Sequence, residues 1–388
     1  MRCMESKPDF KTIMPDGLVP VTDIDLRALS EIYDERDVYL SVYMKSSSAA
    51  ELDASRSFIA SRFKAMDKSL PADDLRQPFR STLSLVEESV ASLPWKGERS
   101  RVIFACGPLS FLHVYRLGLE IEPLVVLDSS PFLLPLARLR DDYEDYGLLL
   151  LDSQEARLFT IRSRLLEEKI QSSIDLMNKH KKGGWSQMRF NRLRKGAIKS
   201  FLGEVMEDLL RLEGLQDMRG LVIAGPGEAK IEIMEMLPPQ IKEKVLGLMD
   251  ASMGTSLADL VEMGDRLALD KERAYGRERA AELRSAVLRG QLYASGADKV
   301  RDALQQGRVK ALLLLDGFVI PGWICESCQH FQEGSQPESC PRCNGRTSRV
   351  NLLEELYELA QRTGAEVEFV EEDDFLRSLG GVGAILRY

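Results

Sequence analysis

Apolar and polar positions alternate in DVYLSVYMK, residues 37–45, and that alternation predicts a half-buried strand. Before it, DLRALSEIYDE reads as a helix. After it, AAELDASRSFIASRFKAM and FRSTLSLVEESVASL read as amphipathic helices separated by the loop DKSLPADDLRQP. Strands RVIFACG and IEPLVVLD then lead to a short helix, PFLLPLARLRDDY, closing an α/β unit near residue 143. In YGLLLLDSQEARLFTI, turn residues separate two hydrophobic runs, the signature of a hairpin. LEEKIQSSIDLMNKH, residues 166–180, reads as a helix, and a long helix follows from about Met188 to Leu212. RGLVIAGPGEAKIEIMEML and KVLGLMDASM are apolar runs bounded by glycine and followed by helical patterns, as in a mostly parallel sheet. GPGEAK lacks the spacing of a phosphate loop and reads as a plain strand-to-helix turn.

A long charged helix beginning LADLVEMGDRLALD, expected to break at least once, opens a third unit. There the strand pattern of ALLLLDG is interrupted by a cysteine-rich excursion. Regular alternation then resumes with NLLEELYELAQRTG, AEVEFV, DDFLRSLG and VGAILRY. The expected organisation is α/β throughout, in three domains at 1–143, 144–268 and 269–388, with the excursion at 323–347.

The 388 residues are 44% hydrophobic and 29% charged, ordinary for globular domains. The N-terminal residues lack the apolar core of a signal peptide, and ALLLLDGFVI is far too short to cross a bilayer, so a cytoplasmic protein without membrane contact is expected. Net charge is -9, so the surface as a whole repels nucleic acid and any affinity for it must come from a local concentration of cations.

Four of the six cysteines supply that excursion. Cys325, Cys328, Cys340 and Cys343 form two C-x-x-C pairs eleven residues apart, the spacing of a zinc ribbon holding one structural Zn2+. Four thiolates leave no position for a catalytic water, and His330 within the loop is not needed as a ligand. Cys3 and Cys106 stand alone, the first as a terminal thiol and the second as a core residue.

The cations concentrate elsewhere. From Lys179 to Lys199 there are eight lysines or arginines and no acid, around the sequence KHKKGGWSQMRF. Arg189, Arg192, Lys195 and Lys199 recur at helical spacing as a basic stripe, while Phe190, Leu193, Ala197 and Phe201 form another side that can pack down. Such a stripe, with Lys179, Lys181 and Lys182 before it, suits a phosphate backbone. Trp185 beside Gly183 and Gly184 suits stacking on a base or lodging in an RNA cavity. A solvated helix face beside a loop is the competing reading.

Taken in order, RVIFACG…IEPLVVLDSSPFLLPL, YGLLLLDSQEARLF, KGGWSQMRFNRLR, LVIAGPGEAK, VLGLMDAS, the four cysteines and LGGVGAILRY resemble the archaeal and eukaryotic class-one peptide chain release factors and their Pelota relatives, in a divergent bacterial-type form. The resemblance implies an RNase H-like central domain and a third domain like the kink-turn-binding proteins, with the zinc ribbon inserted. It also implies contact with the ribosome, tRNA and rRNA, and a translational GTPase bound through the third domain. In this family a Gly-Gly-Gln loop promotes hydrolysis of the peptidyl-tRNA ester. On this chain the loop maps to Gly183, Gly184, Trp185 and Gln187, with Trp185 at the family's glutamine position and Gln187 two residues later. Of the family's Asn-Ile-Lys-Ser element only Lys68 and Ser69 remain, and the Tyr-x-Cys-x-x-x-Phe element has no counterpart, which argues against stop-codon reading. Codon-independent release of peptide in ribosome rescue, a non-catalytic Pelota-like hibernation or rescue role, and a tRNA 3′-end nuclease all remain open on the sequence.

Overall fold

The computed structural model describes residues 12–14, 17–70, 73–92, 95–174, 185–212, 214–325, 327–328 and 330–388. They fall into two compact units, one built from residues 1–141 and 273–388, the other from 142–272. Among the described residues no helix is long and apolar enough to cross a membrane.

The N-terminal part of the first unit runs α1 (Leu26–Ser30), β1 (Tyr39–Lys45), α2 (Ala49–Ser69), α3 (Asp73–Ser92), β2 (Ser100–Cys106), β3 (Phe111–Leu117), β4 (Leu124–Asp128) and α4 (Leu134–Asp142). Its antiparallel sheet has the order β3-β2-β1-β4. Strand β1 is central and buried along Tyr39–Met44, not half-buried as its alternation suggests. Its polar positions are covered too. Ser41 Oγ accepts the amide of Phe132 at 2.9 Å, and the Tyr43 hydroxyl donates to the Phe132 carbonyl, so the loop before α4 closes over that face. Strand β3 has no counterpart in the sequence reading.

The second unit continues with β5 (Tyr146–Leu151), β6 (Glu155–Arg162), β7 (Leu165–Ser173), α5 (Trp185–Leu210), β8 (Gly220–Ala224), α6 (Ala229–Met236), α7 (Pro239–Glu243), β9 (Val245–Met249) and the part of α8 (Leu257–Arg289) that runs to Glu272, the rest of that helix belonging to the first unit. Its sheet has the order β7-β6-β5-β8-β9, antiparallel across β7, β6 and β5 and parallel across β5, β8 and β9. The predicted hairpin is β5–β6, and Asp152 Oδ1 fixes its turn by accepting the amides of Gln154 and Glu155 at 2.7 and 2.8 Å. The helix expected over 166–180 is instead strand β7 as far as Ser173. Ser163 and Arg164 lie at φ 49° and 66°, which makes a two-residue turn that reverses the chain into edge pairing. Helix α8 is continuous, against the expected break. Gly264 sits where a Cβ would lie 2.6 Å from the Tyr146 hydroxyl, so this glycine serves close approach to β5 rather than a kink.

The C-terminal part of the first unit adds β10 (Tyr293–Ser295), α9 (Ala297–Gln305), β11 (Val309–Leu315), β12 (Pro321–Cys325), β13 (Phe331–Glu333), β14 (Thr347–Asn351), α10 (Leu352–Thr363), β15 (Glu366–Val370), α11 (Asp374–Ser378) and β16 (Val382–Leu386). A sheet of order β10-β16-β11-β15 carries this part, while β13-β12-β14 form the small sheet of the cysteine excursion.

Helix α10 packs against the N-terminal part of its own unit. Glu354 accepts the amides of Leu133 and Leu134 at 2.5 and 3.1 Å, capping α4 from another part of the chain. Burial pushes the Glu354 carboxyl up to about 8 despite those amides, and burial also raises Glu355, Glu358 and Asp128. A carboxyl raised in the folded state, against roughly 4.3 when unfolded, contributes stability that is full at acid pH and lost as pH rises through about 8. We therefore expect the melting temperature to fall between about pH 5 and 8.5, with Glu354→Gln flattening part of that fall. A thermal unfolding series against pH reads this, and a wild-type curve that rises over the window would contradict it.

Candidate functional site

The basic segment ends in α5. Lys179, Lys181, Lys182, Gly183 and Gly184 lie outside the described residues, as do the side chains of Trp185, Gln187 and Arg189. The helix opens at Trp185, three residues earlier than the sequence pattern suggests, so Gln187 falls in its first turn.

From Arg192 to Ser200 every residue is exposed except the half-buried Ile198, a stretch of about 13 Å of helix. This corrects the expected packing side. Leu193 is 62% exposed and Ala197 is exposed, while the side chain of Phe190 lies outside the described residues; among the described residues of the helix, full burial begins at Phe201. Phe201, Leu202, Val205 and Leu209 join Leu149, Leu151, Leu158, Leu221 and Ile223 in one core over the sheet. The anchor is thus the C-terminal part of α5, and the stretch Arg192–Ser200 before it carries Arg192, Arg194, Lys195 and Lys199 exposed, with no acid before Glu204. Among the described residues no carboxylate pairs with these four cations. The positive end of the helix dipole lies at the same end as the cations and adds to their field.

A further group of exposed cations escaped the sequence reading. Arg62, Lys64 and Lys68 on α2 and Arg76 and Arg80 on α3 are all exposed, with Arg80 paired to Asp67 at 3.5 Å. They are separated along the chain and interspersed with acids, so composition alone did not group them.

All four cysteines of the two C-x-x-C pairs come together. Their sulfurs lie within 4.8 Å of one another, and Cys325–Cys343 and Cys328–Cys340 are 3.4 and 3.7 Å apart. A disulfide needs about 2.05 Å, whereas a tetrahedral centre with 2.3 Å metal–sulfur bonds sets sulfurs about 3.8 Å apart, so the donor set fits a metal ion. Cys325 and Cys340 are buried; Cys328 and Cys343 face outward. Each pair is held by backbone bonds. The amide of Cys325 donates to the His330 carbonyl at 2.8 Å, that of Cys340 donates to Gly345 at 2.9 Å, and the Arg342 amide donates to Cys340 Sγ at 3.4 Å.

Loss of water around its sulfur, outward-facing though the residue is, and then the neighbouring thiols push Cys328 up to about 12. At Cys340 burial acts in the same sense, but the amides of Arg342 and Cys343 outweigh it and bring the thiol down to about 7. His330 stays out of the thiol group. It is buried with its ring edge-on to Trp323, centroids 5.7 Å apart. Gly345, which the sequence reading passed over, sits where a Cβ would be 2.5 Å from Ser327 Oγ and 3.2 Å from Cys343 Sγ. Of the lone cysteines, Cys106 is buried and free, and Cys3 lies outside the described residues.

The family model described as Bacterial archaeo-eukaryotic release factor family 10 matches residues 131–268, and that described as eRF1 domain 3 matches residues 280–388. Peptide chain release factor subunit 1 of Archaeoglobus fulgidus is 31% identical over 284 residues, spanning 67% of this chain and 70% of that protein. The same factor from Thermococcus kodakarensis is 28% identical over 284 residues, 66% and 68% of the respective chains. The crystal structure of an archaeal translation termination factor, aRF1, matches 94% of this chain and 96% of its own at 20% identity and a TM-score of 0.27.

Proposed function

Because the chain belongs to the archaeal and eukaryotic peptide chain release factor and Pelota family, we propose that it is a ribosome-associated translation factor that releases nascent peptide from peptidyl-tRNA without reading a codon. The observation that carries this reading is the exposed, acid-free stretch Arg192–Ser200 of α5, a helix that follows Gly183 and Gly184 in the sequence. Arg192, Lys195 and Lys199, with Arg189 and the lysines at 179, 181 and 182, hold phosphates of tRNA or rRNA. The pairing order of the second unit's sheet, three strands antiparallel and then two added parallel, supports an RNase H-like central domain spanning residues 144–268.

In the proposed reaction a water oxygen attacks the ester carbonyl carbon, the bond to the tRNA ribose breaks, and the ribose oxygen takes a proton. Opening α5 at Trp185 leaves that residue's amide without an intrahelical acceptor, a donor suited to the developing oxyanion. Gln187 orients the water, Gly183 and Gly184 give the clearance a crowded RNA cavity demands, and Trp185 packs against RNA. The four thiolates hold one structural Zn2+, and the C-terminal part presents a surface to a translational GTPase in the cytoplasm.

One observation favours a second reading, a non-catalytic rescue or hibernation factor. The family's glutamine position holds Trp185, whose indole donates but cannot accept a hydrogen bond from water. Cleavage of the tRNA 3′ end is a weaker alternative. Single-turnover release from defined peptidyl-tRNA ribosome complexes, with analysis of the tRNA 3′ end, separates the three. Gln187→Ala and Gly184→Ala are expected to lower the release rate at least about a hundredfold, in the range lost with a general catalyst or an oxyanion donor, while ribosome affinity stays within about twofold. No product above background from wild type and both variants would leave binding alone, and a shortened tRNA would identify the nuclease.

A further inference from the structure

Metal binding by the four thiols leaves open what a rigid ribbon does for the rest of its unit. The ribbon is tied to the N-terminal part at two places. Arg346 Nη2 lies 3.0 Å from Asp37 Oδ2, and Ser348 Oγ donates to the same oxygen at 3.1 Å. Arg346 follows Cys343 by three residues, so its position depends on the fold of the second cysteine pair. The other tie runs through Asn351 at the end of β14. Its Oδ1 accepts the Ile320 amide at 3.0 Å, closing the base of the ribbon, and the Leu353 amide at 3.3 Å, capping α10. One helical turn on, Glu354 receives the amides of Leu133 and Leu134, and Ser130 Oγ donates to Glu358 at 3.4 Å. The base of the ribbon also packs tightly on this helix, since a Cβ at Gly322 would meet the Leu352 side chain at 2.5 Å.

We propose that the metal-loaded ribbon is a clasp that fastens residues 34–37 and 128–134 of the N-terminal part to the C-terminal part, so that metal occupancy sets how firmly the two ends of the chain are joined. This rests on the metal-binding reading of the four cysteines. Its physical basis is ordering entropy. With the ion in place Arg346 and Ser348 are presented to Asp37 by a stiff hairpin. Without it some twenty residues between Cys325 and Arg346 regain freedom, and each contact they make must first offset that loss. The Asp37 carboxylate, only 22% exposed, is then left without its ribbon donors.

Hydrogen exchange on the full chain tests the clasp, with metal content measured on the same samples. Stripping the ion with a chelator is expected to speed exchange about tenfold or more at 34–37 and 128–134 as well as in the ribbon, while β5 and β8 keep their protection. The double variant Arg346→Ala, Ser348→Ala, which leaves every thiol in place, is expected to retain one ion per chain and still exchange faster at 34–37. A protein that takes up no metal overturns the metal reading and the clasp with it. A protein that loads and loses its ion with faster exchange confined to 325–346, or a loaded double variant indistinguishable from wild type at 34–37, overturns the clasp alone.

Discussion

Exchanging Arg192, Lys195 and Lys199 together for glutamate is expected to weaken ribosome binding at least roughly a hundredfold at 0.1 M salt and to flatten the dependence of log affinity on log salt by about 2 to 3. Each cation that neutralises a phosphate releases close to one counterion, so three lost contacts remove that many from the slope and the corresponding free energy from binding. The fold should tolerate the change. All three side chains are exposed, and the core contacts of α5 among the described residues are made by Ile198, Phe201, Leu202, Val205, Met206 and Leu209, so thermal unfolding of the variant is expected within a few degrees of wild type. Exchanging the exposed Leu193 for alanine is the control, because it shares the helix but carries no charge. Binding measured by sedimentation across a salt series decides the matter. An unchanged slope would mean that this face of the helix is merely solvated and that the proposed RNA contact is wrong.

Cys325→Ser is expected to abolish metal binding and unfold the ribbon. Structural metal–thiolate centres supply about 10 to 16 kcal/mol at neutral pH, far more than three short strands around Trp323 can replace. Cobalt added to the apoprotein should give the absorption of a tetrahedral thiolate site in wild type and none in the variant. Affinity should also fall with falling pH, because thiols must release protons to bind. Gly345→Ala is the graded version. Its Cβ would crowd Ser327 and Cys343, and a loss of affinity of about 10- to 100-fold is expected, as when a group supporting the ligands is disturbed. Serine at position 325 with one ion still bound would remove the four-thiolate assignment.

Periodicity located most helices and strands, because a face buried against one neighbour leaves a readable trace. It misled where burial came from a distant part of the chain. Strand β1 reads as half-exposed, yet Ser41 and Tyr43 are covered through bonds to Phe132, ninety residues on. The segment 166–173 has helix-favouring composition, but the turn at Ser163 and Arg164 commits it to the sheet edge. Leu193 and Ala197 keep helical spacing with Phe201 and still face solvent, since periodicity records which side of a helix is apolar and not how far the domain extends beneath it. The four cysteines were legible because their ligands are local in sequence. Asp37, Asn351 and Glu354 were not, because each acts on residues far away or on backbone amides, which carry no sequence signature.

The first unit is assembled from the two ends of the chain, and this has a consequence for how it is made. The amides of Leu133 and Leu134 have to wait for Glu354, more than two hundred residues later. At typical rates of synthesis of about 5 to 20 residues per second, the helix they open remains uncapped for roughly 10 to 40 s. The intervening residues 142–272 form a continuous unit that can fold in that interval. During synthesis this cap is therefore completed only after the whole middle of the chain has been made.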